Sequence, residues 1–176
     1  MGKYVGIISK SRVLGVDILI FVILGTQDKT FERMLQEIDN LIRDGIIKEK
    51  VIVQAGSTIY KTDTMEILDY IPMKEFQKYV KQADVVIAHG GVGSILDALK
   101  YNKKVIAIPR LEKYNEHENN HQIQIVEKFD ELGYIMDCGN LKRLGNKLME
   151  IDKFVPKKYN SNNKKFVEKL EKNIGE

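Results

Sequence analysis

Short apolar runs alternate along the chain with longer segments in which apolar residues recur every three or four positions. The short runs have the length of buried strands, and the longer segments have the periodicity of helices with one apolar face. The pattern predicts strands at residues 18–24, 51–53, 65–68, 85–88, 105–108 and 134–136, and helices at residues 30–44, 73–82, 94–101, about 120–132, 141–151 and 163–173.

Strands that alternate with helices of ten to fifteen residues are typical of β-α-β crossovers, which place the strands parallel. We therefore predict an α/β fold with a Rossmann-like parallel sheet and helices on both faces. Residues 1–17 fit this pattern least well, because residues 4–8 form either an extra strand or part of a poorly ordered extension. We expect three parts: an N-terminal extension or extra strand at residues 1–17, one domain at residues 18–152, and a basic C-terminal helix or tail at residues 153–176.

Composition and charge indicate an ordinary soluble globular protein. The 176 residues are 43% apolar and 30% charged, and no apolar run approaches the ~20 residues that cross a bilayer. The net charge of +3 lies in the segment from Ile151 onward, where seven lysines face four acidic residues. A neutral body with a basic tail argues against a nucleic-acid partner and is compatible with weak attraction to an anionic membrane surface. The one cysteine, Cys138, cannot form an intrachain disulfide, so we expect a reducing cytosol.

The segment His89-Gly90-Gly91-Val92-Gly93-Ser94, between a predicted strand and a predicted helix, has the clearest chemical meaning. Its glycines permit a tight turn and a close approach of a ligand to backbone amides. The start of the following helix attracts a phosphate or diphosphate, to which His89 could also donate a hydrogen bond. The alternative is a plain turn in which Ser94 caps the helix and Asp97 completes a capping box. That alternative accounts for neither the glycines nor the histidine.

A second loop, Gly25-Thr26-Gln27, follows the first predicted strand. Ligands of doubly wound sheets bind beyond the carboxyl ends of strands, where this loop lies. Gly25 would let a ligand approach, and Thr26 offers a hydroxyl group. An ordinary turn with Thr30 as the helix cap explains the same residues.

The sequence HENNH, which begins at His117, matches the H-E-x-x-H signature of zinc peptidases. In that signature His117 and His121 bind the metal from one face of a helix, and Glu118 polarises a water molecule. Asn119 and Asn120 are poor interior helix residues and good caps, so a helix that begins there leaves His117 outside it. A zinc metallopeptidase is therefore a remote alternative, and we prefer a polar rim that faces the hydroxyl groups of a ligand.

Taken together, the motifs resemble those of the glycosyltransferase family 28 C-terminal domain, over about residues 19–150. Within that family the chain is similar to short single-domain PssE-like subunits of bacterial exopolysaccharide and capsule glycosyltransferases. It is also similar to the small subunit of the eukaryotic two-piece enzyme that adds the second GlcNAc to dolichol diphosphate. The motifs that carry the resemblance are Gly25-Thr26 with Phe31, Gln54-Ala55-Gly56, His89–Ser94, Asp97-Ala98-Leu99, Pro109-Arg110, Glu116-His117 and His121-Gln122.

The resemblance implies that residues 18–152 form a single GT-B half-domain that binds a UDP-sugar donor. Asp97 would hold the ribose, although relatives usually carry a longer Glu there. Asn102 stands where relatives often have Gly, which Asn can replace because it tolerates the left-handed conformation. The implied diphosphate-binding residues are His89, Gly90, Gly91, Gly93, Ser94, Gly25 and Thr26, and the implied sugar-binding residues are Asn120, His121, Gln122 and Glu116.

The resemblance also implies an inverting UDP-sugar-dependent hexosyltransferase that uses no cofactor or metal, and the chain has no Asp-x-Asp metal motif. GT-B enzymes hold the donor between two domains, and this chain has room for one. We therefore expect a membrane-anchored, acceptor-binding, PssD-like partner subunit that supplies the catalytic base, so no catalytic residue is assigned in this chain. The expected acceptor is a polyprenyl-diphosphate-linked saccharide of exopolysaccharide or capsule biosynthesis. The expected location is cytoplasmic and peripheral at the inner face of the membrane, and a non-catalytic nucleotide-sugar-binding subunit is the alternative.

Overall fold

Six parallel strands form one sheet in this computed structural model, which describes residues 18–160 and Glu168. The strands are Leu19–Ile23 (β1), Lys50–Gln54 (β2), Glu66–Leu68 (β3), Val85–His89 (β4), Lys104–Ile108 (β5) and Met136–Asp137 (β6). Their order is β3-β2-β1-β4-β5-β6, and every neighbouring pair is parallel. This is the strand order of dinucleotide-binding Rossmann folds, so the predicted α/β fold is confirmed.

Helices cover both faces of the sheet, because successive side chains of each buried strand point to opposite sides. On β1, Ile20 and Val22 enter one apolar cluster, whereas Phe21 and Ile23 enter the other. The described helices are Glu32–Arg43 (α1), Met73–Gln82 (α2), Val92–Leu99 (α3), His121–Glu131 (α4) and Leu144–Glu150 (α5), with 3-10 turns at Glu112–Tyr114 and Leu141–Arg143. Helices α1 and α5 pack on the first cluster, and α2, α3 and α4 pack on the second.

Most boundaries differ from the prediction by one or two residues, and the last described helix begins three residues late because residues 141–143 form a 3-10 turn. Helix α3 begins at Val92, two residues earlier than predicted, because the glycine-rich segment enters the helix. Strand β6 is Met136–Asp137 instead of residues 134–136. Asn102 adopts the expected left-handed conformation, with a φ of 54°. The order and type of the predicted strands and helices are confirmed over the described residues.

The connection from β2 to β3 has no helix and is held against α1 by Asp39. The carboxylate of Asp39 accepts hydrogen bonds from the hydroxyl groups of Tyr60 at 3.1 Å, Thr62 at 3.1 Å and Thr64 at 2.7 Å. Burial raises the pKa of Asp39, but the hydrogen bonds from Thr64, Thr62 and Tyr60 together lower it by more. The pKa of Asp39 is therefore below its ordinary value. These hydrogen bonds attach the connection to α1. The connection also contains Thr58, whose hydroxyl accepts the N–H of Phe31 at 3.0 Å.

Packing continues beyond Asp152, where the tail was predicted to begin. Phe154 packs on the first apolar cluster, and the ring of Tyr159 lies 5.9 Å from that of Tyr134. The predicted N-terminal extension lies outside the described residues, as does the predicted terminal helix apart from Glu168, which is helical and exposed. Among the described helices, none has the length and apolar character needed to span a bilayer.

Candidate functional site

A cleft of about 330 Å³ opens at the carboxyl ends of β1 and β4. These strands are neighbours, but the chain leaves β1 toward β2 and leaves β4 toward β5, so the loops that follow them diverge. The volume is that of a small-molecule site. The cleft is lined by Ile23, Gly25, Thr26, Gln27, Gln54, Tyr70, Ile71, Met73, Phe76, His89, Gly91, Gly93, Ser94 and Asp97.

The start of α3 forms one wall of the cleft. Gly91 is the N-cap residue, and no side chain among residues 18–160 caps the helix. The first amides of a helix have no partner within it, so those of Gly93 and Ser94 remain available to a ligand. The alternative in which Ser94 caps the helix is wrong, because Ser94 is the third helical residue. The arrangement suits an anion, since the positive end of the helix dipole lies at the same place.

The three glycines of this segment have different surroundings. A Cβ atom on Gly90 would lie 2.8 Å from Cγ2 of Val126 and 2.9 Å from Cβ of Gln122. A Cβ atom on Gly91 would lie 2.9 Å from Nε2 of His89, whereas one on Gly93 would meet nothing within 4 Å. Gly90 is therefore required by packing against α4 and, contrary to the prediction, does not line the cleft. Gly93 is the glycine that packing does not explain, and it lies at the cleft.

His89, the last residue of β4, is 7% exposed and has a hydrogen-bond partner at each ring nitrogen. Nε2 lies 3.0 Å from Oγ of Ser94, and Nδ1 lies 3.3 Å from Nε2 of Gln122. Burial, and to a lesser degree the charges of Arg110 and His117, lower the pKa of His89 to about 3. His89 is therefore neutral at physiological pH. Contrary to the prediction, it has no ring nitrogen free to donate a hydrogen bond to an anion, because Ser94 and Gln122 contact both.

The loop after β1 is shaped by Gly25 and Gln54. Gly25 has a φ of 84°, and a Cβ atom there would lie 2.6 Å from Nε2 of His89. Its N–H donates to Oε1 of Gln54 at 3.2 Å, and its carbonyl accepts from Nε2 of Gln54 at 3.0 Å. The predicted contact between Gly25 and a diphosphate therefore cannot use this amide, which Gln54 already occupies. The exposed Thr26 is the predicted residue of this loop whose side chain is free to meet a ligand.

Behind the cleft, the guanidinium of Arg110 is 1% exposed. It donates to the carbonyl oxygens of Leu24 and Lys29, each at 2.7 Å, and to those of Thr30 at 3.3 Å and Glu116 at 3.2 Å. Burial lowers the pKa of Arg110 to about 10, so it is still charged at neutral pH. Arg110 thereby fixes the loop after β1, and its positive charge is close enough to His89 to lower the pKa of the histidine.

The predicted sugar-binding residues do not reach the cleft. Gln122 is 3% exposed and Glu116 is 4% exposed, and Glu116 is bound by Arg33 through two contacts of 2.8 Å. The side-chain oxygen of Asn120 accepts the N–H of a residue in the first 3-10 turn at 3.1 Å, and Asn120 lines a separate cleft. His121 is half-buried and is not part of the lining. The prediction treated these long polar side chains as exposed, but Gln122 and Glu116 are turned into the protein.

The zinc-peptidase geometry is not formed. Helix α4 begins at His121 with Asn120 as its N-cap residue, so His117 lies outside the helix, as the sequence predicted. Nδ1 of His117 accepts the N–H of Asn119 at 3.3 Å, and Glu118 pairs with Lys29 at 2.6 Å. Over residues 18–160, no group of three His, Cys, Asp or Glu side chains is placed to hold a metal ion.

An apolar wall of the cleft was not predicted as part of the site. Tyr70, Ile71, Met73 and Phe76 line the cleft from the loop that follows β3 and from the start of α2. Tyr70 is 61% exposed and Met73 is 63% exposed. The signal in the sequence is an apolar cluster around Pro72 at the carboxyl end of a strand, where an ordinary loop would be polar.

Comparison with known proteins agrees with this architecture. A model of the glycosyltransferase family 28 C-terminal domain matches residues 19–174. The UDP-N-acetylglucosamine transferase subunit ALG13 of Candida glabrata is 34% identical over 119 residues, which cover 62% of this chain and 54% of that protein. The Saccharomyces cerevisiae subunit of the same name is 46% identical over 56 residues, which cover 32% of this chain and 26% of that protein. The chain thus spans about half the length, or less, of these curated relatives.

Solved structures show the same fold. An NMR solution structure of ALG13 has a TM-score of 0.59 and 22% identity, and the match covers 91% of this chain and 98% of that one. The crystal structure of the glycotransferase of kitacinnamycin has a TM-score of 0.60 and 17% identity, and the match covers 93% of this chain and 40% of that one. The chain therefore has the fold of one half of a GT-B glycosyltransferase.

Proposed function

This chain belongs to the glycosyltransferase family 28 C-terminal domain family, and from that premise we propose that its cleft binds the UDP portion of a UDP-sugar donor. The observation that carries the proposal is the chemical contrast between the two walls of the cleft. The uncapped start of α3, with Gly93 and Ser94, offers amides and a hydroxyl group to a diphosphate. The apolar wall, with Tyr70 and Ile71, offers apolar surface to a planar base.

Electrostatics supports the binding of an anion. The buried charge of Arg110 lies close enough to His89 to lower the pKa of the histidine, so it also lies near the wall of the cleft that His89 and the start of α3 form. Asp97, the acidic residue of the lining, accepts a hydrogen bond from Lys100 at 3.0 Å, which offsets its charge. We keep Asp97 as the proposed ribose ligand, since its side chain is 34% exposed at the cleft.

We propose that the chain is the donor-binding subunit of an inverting hexosyltransferase. In this reaction the bond between the anomeric carbon and the diphosphate oxygen breaks, and the electron pair leaves with UDP. The acceptor hydroxyl oxygen attacks the opposite face of the sugar and gives its proton to a base. The amides of α3, Ser94 and the nearby charge of Arg110 stabilise the leaving diphosphate, which is a fixed electrostatic role.

A partner subunit supplies the base in this proposal. Among the described residues that line the cleft, His89 and Asp97 are the candidate proton acceptors. His89 has both ring nitrogens engaged, and Asp97 is paired with Lys100. The curated relatives are named as subunits, which supports a second chain. We propose that the partner is membrane-anchored and binds the acceptor, a polyprenyl-diphosphate-linked saccharide of exopolysaccharide or capsule biosynthesis. The chain would then be cytoplasmic and peripheral at the membrane.

The direct test is binding followed by transfer. Titration calorimetry should show binding of UDP and of at least one of UDP-GlcNAc, UDP-glucose, UDP-galactose and UDP-glucuronate. The controls CDP and NAD should bind more weakly than UDP. Transfer to a lipid-linked acceptor should require co-expression with the partner subunit. Failure to bind any uridine diphosphate would defeat the proposal. UDP binding without transfer in the presence of the partner would favour a non-catalytic nucleotide-sugar-binding subunit.

A further inference from the structure

The side-chain amide of Gln122 is buried, and a backbone N–H group fixes which of its ends is the oxygen. The backbone N–H of Arg110 donates to its Oε1 at 3.0 Å, so the amide oxygen faces β5. The amide nitrogen then faces Nδ1 of His89 at 3.3 Å. An amide –NH₂ group donates hydrogen bonds and does not accept them. The contact therefore requires Nδ1 of His89 to be the acceptor.

The acceptor role of Nδ1 decides the tautomer of His89. A neutral imidazole carries one hydrogen, so Nε2 is the protonated nitrogen when Nδ1 accepts. Nε2 lies 3.0 Å from Oγ of Ser94, and it must donate to that oxygen. The hydroxyl hydrogen of Ser94 cannot then point back at His89. Ser94 is half-buried at the cleft, where its hydrogen is free to meet an anion.

We infer that Gln122 is a positioning residue that acts through His89 to aim the hydroxyl hydrogen of Ser94 at the donor diphosphate. The inference rests on the proposed function, because it assumes an anion at the start of α3. It gives Gln122 a role different from the predicted contact with sugar hydroxyl groups, which its burial does not permit. In the opposite tautomer, Ser94 would donate to His89 and present only its oxygen lone pairs to the anion.

The first test measures the tautomer of His89 without any ligand. Long-range ¹H–¹⁵N correlation spectra at pH 7 distinguish a protonated Nε2 from a protonated Nδ1, and loss of the signals in His89→Gln assigns them. The expected result is a neutral ring with hydrogen on Nε2 in the wild type and a mixture of tautomers in Gln122→Met. A wild-type ring protonated on Nδ1, or on both nitrogens, would overturn the inference.

The second test is a double-mutant cycle on UDP affinity, with Ser94→Ala, Gln122→Met and the double variant. Loss of one hydrogen bond to a charged group predicts about 10-fold weaker UDP binding for Ser94→Ala. Loss of its orientation predicts a weakening of about 5-fold for Gln122→Met. Because Gln122 acts through Ser94, the double variant should bind UDP as Ser94→Ala does. The matched control Gln124→Met, on the exposed side of α4, should bind as the wild type does.

The outcomes of the cycle separate the inference from the proposed function. If the two effects multiply, Gln122 influences binding independently of Ser94, and the inference is wrong. A wild type that binds UDP with His89 in the other tautomer also defeats the inference alone. A wild type that binds no UDP defeats the proposed function and the inference with it, whatever the tautomer.

Discussion

Alanine at two glycines of the same segment, Gly90 and Gly93, should have opposite effects on stability and on binding. The Cβ atom of Gly90→Ala would lie 2.8 Å from Cγ2 of Val126 and 2.9 Å from Cβ of Gln122. Carbon atoms in contact normally lie ~3.5–4.0 Å apart, so β4 and α4 would have to separate by several tenths of an ångström. Overpacking of this kind costs roughly 1–3 kcal/mol of unfolding free energy.

Gly93→Ala has no such cost. Nothing lies within 4 Å of the new Cβ atom, and alanine is the better helix residue by up to ~1 kcal/mol. The unfolding free energy should therefore stay the same or rise. The methyl group would, however, stand between the ligand and the amides at the start of α3, so UDP affinity should fall by about 10-fold, or about 1.4 kcal/mol.

Urea denaturation and titration calorimetry on the same preparations measure both quantities. Gly90→Ala should have a lower unfolding free energy than the wild type. The folded fraction of Gly90→Ala should bind UDP more tightly than Gly93→Ala does, with an affinity closer to that of the wild type. The reasoning is refuted if Gly93→Ala keeps full UDP affinity, because the amides would then not be the anion site. An unchanged stability of Gly90→Ala would show that β4 and α4 are not in the close contact described.

Three further predictions concern groups around the cleft. Arg110→Met should lower the unfolding free energy by about 3 kcal/mol or more, because four carbonyl oxygens lose their donor. Arg43→Met, at an exposed arginine, should lower the unfolding free energy measured by urea denaturation much less. Burial, Arg110 and His117 lower the pKa of His89 from 6.5 to about 3 in the folded protein, so the stability this shift contributes is complete above pH 6.5 and is lost as the pH falls. Between pH 6 and pH 4, the unfolding free energy of the wild type should fall more steeply than that of His89→Gln, by about 1.4 kcal/mol per pH unit. Urea denaturation of both proteins at the two pH values checks this. Equal slopes would contradict the lowered pKa of His89. Transfer with the partner present should survive EDTA, and a loss restored by Mg²⁺ or Mn²⁺ would contradict metal independence.

The glycine-rich wall of the cleft at the start of α3 could be predicted from the sequence because its signal is local. A strand, a glycine-rich turn and a helix follow one another between residues 85 and 99, and the turn chemistry is independent of the rest of the fold. The sequence did not show that Gly91 and Gly93 line the cleft whereas Gly90 does not. That distinction depends on Val126 and Gln122, more than thirty residues away, which fill the space beside Gly90.

The prediction that Glu116 and Gln122 face the cleft was wrong because contacts with residues distant in sequence decide their orientation. Glu116 and Gln122 are long polar side chains near a loop, and such residues are normally exposed. Here Arg33, which is 83 residues from Glu116 in the chain, pairs with that carboxylate. The backbone of Arg110, together with His89, satisfies Gln122. Local pattern carries no information about a partner so distant in sequence, so inward orientation could not be foreseen.

The most direct measurement of the central claim is a crystal structure of the protein soaked with UDP. The diphosphate should lie at the start of α3, within hydrogen-bonding distance of the amides of Gly93 and Ser94 and of the Ser94 hydroxyl group, with the base against Tyr70 and Ile71. UDP bound elsewhere, or no UDP at that helix end at a concentration that saturates binding in solution, would contradict the account.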